Sequence, residues 1–125
     1  MAVLSEDVFY VAAPYCPAAQ PCIGREQVRR RLVEPLIERK TQIVATGQAE
    51  GSDSAARVRL EISWPGIEKF EVQRIVGYDE VKARGGQITT IHYERDLSDA
   101  QTAAFVKASA AAAAAAAAGP TVKVQ

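Results

Sequence analysis

The sequence predicts an α+β fold in which a curved antiparallel sheet wraps one helix, and two periodicities carry that prediction. Over residues 24–40, Val28, Leu32 and Leu36, with Val33 and Ile37, recur at helical spacing. After residue 41 the period changes to two. It is cleanest in RVRLEISW, where Val58, Leu60, Ile62 and Trp64 share one face and Arg57, Arg59, Glu61 and Ser63 the other.

Taken in order, residues 7–13 (DVFYVAA) are rich in β-branched and aromatic side chains and read as the first strand. Pro14, Pro17 and Pro21 then hold an extended loop, because each fixes φ and lacks an amide donor. The helix of residues 24–40 is expected to bend at Pro35, with Arg25, Arg29 and Arg30 on a solvated face. Strands follow at 41–49 and 57–64. Residues 68–81 read as one long strand with a bulge near Arg74, since Phe70 and Val72 fall out of phase with Ile75 and Val76. Arg84-Gly85-Gly86-Gln87 turns the chain into a last strand at 88–95. Ser98 and Gln101 are spaced as a capping box for a helix ending at Gly119-Pro120. That helix holds nine consecutive alanines, Ala110 to Ala118, which form helix readily but bury little apolar area. Residues 121–125 alternate like a short strand. The division implied is a domain at 1–106 and an alanine-rich helix or tail at 107–125.

With 125 residues the chain can bury one core. Fifteen basic and fifteen acidic residues cancel, so neither nucleic acid nor an anionic membrane is an expected partner. The opening MAVLSEDVFY has neither a basic start nor a long apolar core, which points to the cytoplasm. In that setting Cys16 and Cys22 read as free loop thiols. Their spacing fits no zinc motif, and His92 is the only imidazole, so no metal or other cofactor is implied.

Three stretches, EDVFYVAAPYCPAAQPCIGREQVRRRL, GYDEVKARGGQITTIHYERD and SDAQTAAF, together resemble the nuclear transport factor 2-like superfamily. The likeness is to its SnoaL-like branch of polyketide cyclases, ketosteroid isomerases and limonene-epoxide hydrolases, and it spans about residues 6–105. It implies a cone-shaped α+β barrel, a bent sheet closing over helices around an apolar pocket. Family members carry helices before the first strand, and only six residues precede Asp7 here. Residues 97–118 folding back, or a second chain, would then cover the cone, and exposed apolar surface favours a homodimer.

The resemblance also suggests where catalytic groups would lie. Ketosteroid isomerases place a carboxylate at the end of the first strand, where this chain has Val11, Ala12 and Ala13; Tyr78 or Asp79 falls near their acidic oxyanion donor. Against limonene-epoxide hydrolases, Tyr10 matches the water-positioning tyrosine and Arg59 and Glu61 the Arg-x-Asp pair. Ala12 replaces the asparagine, and Tyr93 stands for the second aspartate. Glu61 could act as base, Arg59 could orient it and Tyr93 could be the acid, although the alternation turns Arg59 and Glu61 outward. His92 could be a base near neutral pH, but it shares a face with Thr90 and Glu94 while Ile91 and Tyr93 face inward. Tyr10, Tyr15, Trp64, Phe70, Tyr78 and Tyr93 are the expected pocket lining. The expected partner is an apolar, polycyclic or terpenoid small molecule. The expected activities are binding alone, isomerase, cyclase or epoxide-hydrolase chemistry on a cyclic substrate, or protein interaction.

Overall fold

The computed structural model describes residues 3–123. Strands β1 (Val3–Val11) and β2 (Cys22–Ile23) lead into α1 (Arg25–Val28), a π-helical turn (Arg29–Val33) and α2 (Glu34–Glu38). Strands β3 (Gln42–Gly51), β4 (Ala55–Ser63), β5 (Ile75–Arg84) and β6 (Gln87–Arg95) follow, and α3 (Ala100–Lys123) ends the fold. The six strands form one sheet in the order β2-β1-β6-β5-β4-β3. Every pairing is antiparallel except β1 with β6, so the sheet is mixed. Register slips between Leu4 and Phe9, between Thr46 and Glu50 and between Lys82 and Ala83 supply irregularities of the kind that bend a sheet.

The expected helix is one continuous run with a wide turn in its middle. Pro35 lies at the start of α2, just after the π-helical turn, where its missing amide falls at a break in the α-helical ladder. Gly24 sets the entry to α1: its φ of +86° suits glycine, and a Cβ there would come 3.2 Å from the Glu6 carbonyl oxygen. The arginines on this helix hold the fold together. Arg31 donates to the carbonyls of Pro21 at 3.0 Å and Gln20 at 2.7 Å, Arg25 to that of Leu4 at 2.8 Å, and Arg29 pairs with Glu26 and Glu34.

Four expectations are corrected. Cys16 and Cys22 are joined by a disulfide, and both are fully buried beside Val8, Val28 and Leu32; the proline-rich loop brings them together across a gap that spacing alone leaves undefined. Residues 68–81 are not one strand. Ile67–Phe70 is a 3-10 turn after Gly66, so the phase change reflects a change of element instead of a bulge at Arg74. The cap of α3 is Asp99, whose Oδ2 accepts from the Thr102 amide at 2.9 Å and hydroxyl at 2.8 Å. Ser98 bonds Asp96, and Gln101 reaches across to accept from the Gln73 amide. Lastly, α3 runs past Gly119-Pro120 to Lys123 instead of giving way to a strand, and residues 124–125 of that expected strand lie outside the described residues.

The core is split in two. One cluster joins Val8, Cys16, Cys22, Val28 and Leu32 between β1 and the first helix. The other joins Ile67, Val72, Ile75 and Phe105 under α3, with Ile62, Trp64 and Phe70 against it. A single short helix cannot fill the concave side of a bent six-stranded sheet, and a hollow stays open between the clusters.

Candidate functional site

The hollow is a cavity of about 470 Å³, within the size range of small-molecule sites. Its wall is mostly apolar: Leu32 and Leu36 from the helix, Ile43, Leu60 and Ile62 from β3 and β4, and Trp64, Phe70, Ile75 and Phe105 around the far end. The pleat of β4 puts Leu60 and Ile62 on one side, and Trp64, one residue past the strand's end, continues their row. Ile43 is 48 % exposed, so the wall formed by β3 is open to solvent. Phe105 and Ser109 bring α3 into the lining, which places the fold-back segment over part of the cone.

Against this apolar wall stand Tyr10, Asp79, Tyr93 and Arg95, carried by β1, β5 and β6. Asp79 pairs directly with Tyr93 across the β5–β6 ladder, and Arg95 pairs with Gly77. Asp79 Oδ1, the Tyr93 hydroxyl and Arg95 Nε are all buried and have no hydrogen-bond partner among the described residues. Natural interiors seldom leave such groups unpaired, and these three are gathered on residues at the polar end of the hollow. Burial pushes the Asp79 carboxyl up to about 6. Burial, then the neighbouring Asp79 carboxylate, raises the Tyr10 hydroxyl well above its usual value. Burial lifts Tyr93 to about 12, with Arg95 pulling it down and Asp79 adding to the rise. At neutral pH both tyrosines therefore remain protonated donors, while Asp79 can exchange a proton near working pH.

Of the residues expected in a pocket, Tyr10, Tyr15, Trp64, Phe70 and Tyr93 line the hollow. Tyr78 does not: it stands next to Asp79 on the opposite face of β5, with the Arg57 guanidinium 3.8 Å from its ring centroid. Of the catalytic candidates, Asp79 and Tyr93 reach the hollow, and Arg59, Glu61 and His92 do not. Arg59 Nη1 donates to Glu61 at 2.8 Å and Thr46 at 2.6 Å on the far face. His92 stands with Glu94, 3.7 Å away, also outside the lining. Arg39, Lys69 and Arg95 also line the cavity and were not foreseen. Arg95 had a signal, because it continues the inward alternation of Ile91 and Tyr93. Arg39 and Lys69 had none, since the helix end and 3-10 turn that aim them follow no clear period.

No protein-family model and no curated protein matches the sequence. Solved structures do match. A protein from Agrobacterium tumefaciens designated an isomerase of the SnoaL-like family has a TM-score of 0.59 at 15% identity, over 75% of this chain and 74% of that one. A protein of unknown function with a cystatin-like fold from Xanthomonas campestris has a TM-score of 0.60 at 19% identity, over 82% and 79%. A computationally designed 17-OHP binder has a TM-score of 0.56 at 14% identity, over 76% of each chain. The chain has the fold seen in SnoaL-like and other nuclear transport factor 2-like proteins.

Proposed function

We propose that the hollow binds an apolar cyclic small molecule, of steroid or terpenoid size, whose polar group meets the end of the hollow lined by Tyr10 and Tyr93. The observation that carries this reading is a mostly apolar cavity of about 470 Å³ with a polar end lined by Tyr10, Asp79, Tyr93 and Arg95. Likeness to a designed 17-OHP binder supports the size class, as a scaffold able to hold such a molecule. Thermal-shift screening with neutral steroids and terpenoids tests it. A ligand at a hundred times its Kd adds about 2.7 kcal/mol, enough to raise Tm by several degrees. A panel in which no compound raises Tm contradicts the reading.

A second reading, an acid–base enzyme of isomerase type, is favoured by one observation: Asp79 points into the hollow with its carboxyl held near 6. Asp79 would take a proton from a carbon beside a carbonyl, and Tyr10 and Tyr93 would donate to the developing oxyanion. Solvent-deuterium exchange into a bound cyclic ketone measures this, and D79N should abolish it. Exchange that survives in D79N removes Asp79 from the chemistry.

Apolar residues left on the surface, Val3, Phe9 and Ile23 near one sheet edge and Val44 on the other, support a homodimer. Sedimentation at several concentrations tests it, with a monomer throughout as the contrary result. None of the described helices is long and apolar enough to cross a membrane. The expectation of a cytoplasmic location rests on the opening residues, whereas the Cys16–Cys22 bridge supports an oxidising compartment. Thiol alkylation of protein taken directly from cells distinguishes the two.

A further inference from the structure

Three cations line the hollow, and each stands against one ring of a single aromatic cluster. Trp64 and Phe70 both meet Phe105 edge-on, with centroids 5.3 and 5.1 Å apart. The Arg39 guanidinium carbon lies 5.7 Å from the Trp64 centroid, that of Arg95 lies 5.5 Å from Phe105, and Lys69 Nζ lies 5.3 Å from Phe70. Ring faces offset part of the cost of holding cations beside apolar surface, but they do not neutralise them.

Carboxylates do that elsewhere on this molecule. Arg29, Arg57, Arg59 and Arg74 each have one within 4.0 Å, whereas among the described residues none comes that close to Arg39, Lys69 or Arg95. Among the described residues, Asp79 is the one carboxylate in the lining. Arg39 spends one nitrogen on the Tyr15 hydroxyl at 3.0 Å, and Arg95 Nε is buried with no partner among those residues. A concave apolar wall holding three such cations focuses a positive potential on its interior.

We propose that the ligand is an amphiphilic anion: an apolar cyclic body seated between the two core clusters, with one carboxylate directed at Arg95. The inference rests on the hollow being a ligand site and adds the charge of the ligand. The Arg95 guanidinium, which lines the hollow without a carboxylate beside it, supplies the nearest charge, Arg39 and Lys69 add long-range attraction, and the Tyr10 hydroxyl can donate to the second carboxylate oxygen. Ionised Asp79 opposes binding, so its removal strengthens it.

Trp64 is the only tryptophan and lines the hollow, so its fluorescence reports occupancy. The probes are lithocholate and its methyl ester, which share a steroid body and differ in charge. Lithocholate is expected to bind about tenfold tighter than the ester, a gap that narrows with added salt. R95M should narrow the gap several-fold and D79N should widen it. R39M, at the exposed end of the helix, decides the matter if circular dichroism shows R95M unfolded, and it too should narrow the gap. Ester binding as tight as the acid overturns the inference and leaves the ligand-site reading standing. Failure of both probes, together with a neutral panel that leaves Tm unmoved, overturns both.

Discussion

The Tyr93 ring lies directly over Gly77: a Cβ built on that glycine would sit 2.3 Å from Tyr93 Cε1 and 2.4 Å from its hydroxyl oxygen. No side chain larger than hydrogen fits beneath the ring. Because Asp79 pairs with Tyr93 two residues along the ladder, the glycine fixes where the phenol stands relative to the carboxyl.

G77A therefore must displace Tyr93. Overpacking of this kind costs about 1–3 kcal/mol, and the low end applies if the tip of the ring swings into the adjoining hollow. Denaturant unfolding should show that loss, and the double variant G77A/Y93L should recover much of it. A fully stable G77A with an unmoved Tyr93 contradicts the close approach.

Asp79 makes stability fall as pH rises. Its carboxyl has a pKa near 4 when unfolded and about 6 in the fold, so the folded chain keeps a proton that the unfolded chain has released. Its contribution is most favourable below pH 4, declines through about pH 6 and is level above. The size is on the order of 2 kcal/mol, allowing for partial exposure. D79N should be more stable than wild type at pH 8 by about that amount and indistinguishable at pH 4. Equal stability of the two proteins at both pH values contradicts burial of the carboxyl.

Asp99 acts in the opposite sense. The Arg74 guanidinium, bonded to both its oxygens at 3.0 Å, and then the Thr102 hydroxyl and amide hold its carboxyl down at about 2. Its contribution is complete above pH 4 and is lost as pH falls towards 2. D99A removes the cap of α3 and should cost about 1–2 kcal/mol at pH 7. Thr102, fully buried, also accepts from the Val76 amide at 2.7 Å, so T102V should be destabilising although it conserves shape.

Reduction of Cys16–Cys22 should lower stability by about 2 kcal/mol and free the loop that carries Tyr15. Mass spectrometry with and without reductant before alkylation checks the bridge. Two alkylated thiols in the unreduced protein would contradict it.

Much of the architecture was legible because periodicity survives where one face is buried. The Leu60–Ile62–Trp64 row and the outward Arg59 and Glu61 follow from the pleat of β4, continued one residue past its end. The Gly85-Gly86 turn needed only its glycines, whose φ values of +58° and +78° other residues resist. The misplacement of Tyr78 has a definite origin. Treating residues 68–81 as one strand left the phase of β5 unresolved, whereas a strand starting at Ile75 puts Asp79 inward and Tyr78 outward. The disulfide and the Asp99–Arg74 pair were hidden for another reason. Each joins side chains through a loop or a helix start whose direction no local pattern encodes. The three unpaired cations were invisible as a group, because only the fold gathers residues 39, 69 and 95 around one aromatic cluster.

The central claim is that the hollow, and not an outer face, is where this protein meets its ligand. Heteronuclear NMR of the labelled protein titrated with a steroid measures that directly. The account predicts shift changes concentrated at Tyr10, Leu60, Ile62, Asp79 and Tyr93, with Arg57, Tyr78 and His92 still. Changes confined to those last three, or a spectrum that does not move with any steroid or terpenoid, would contradict it.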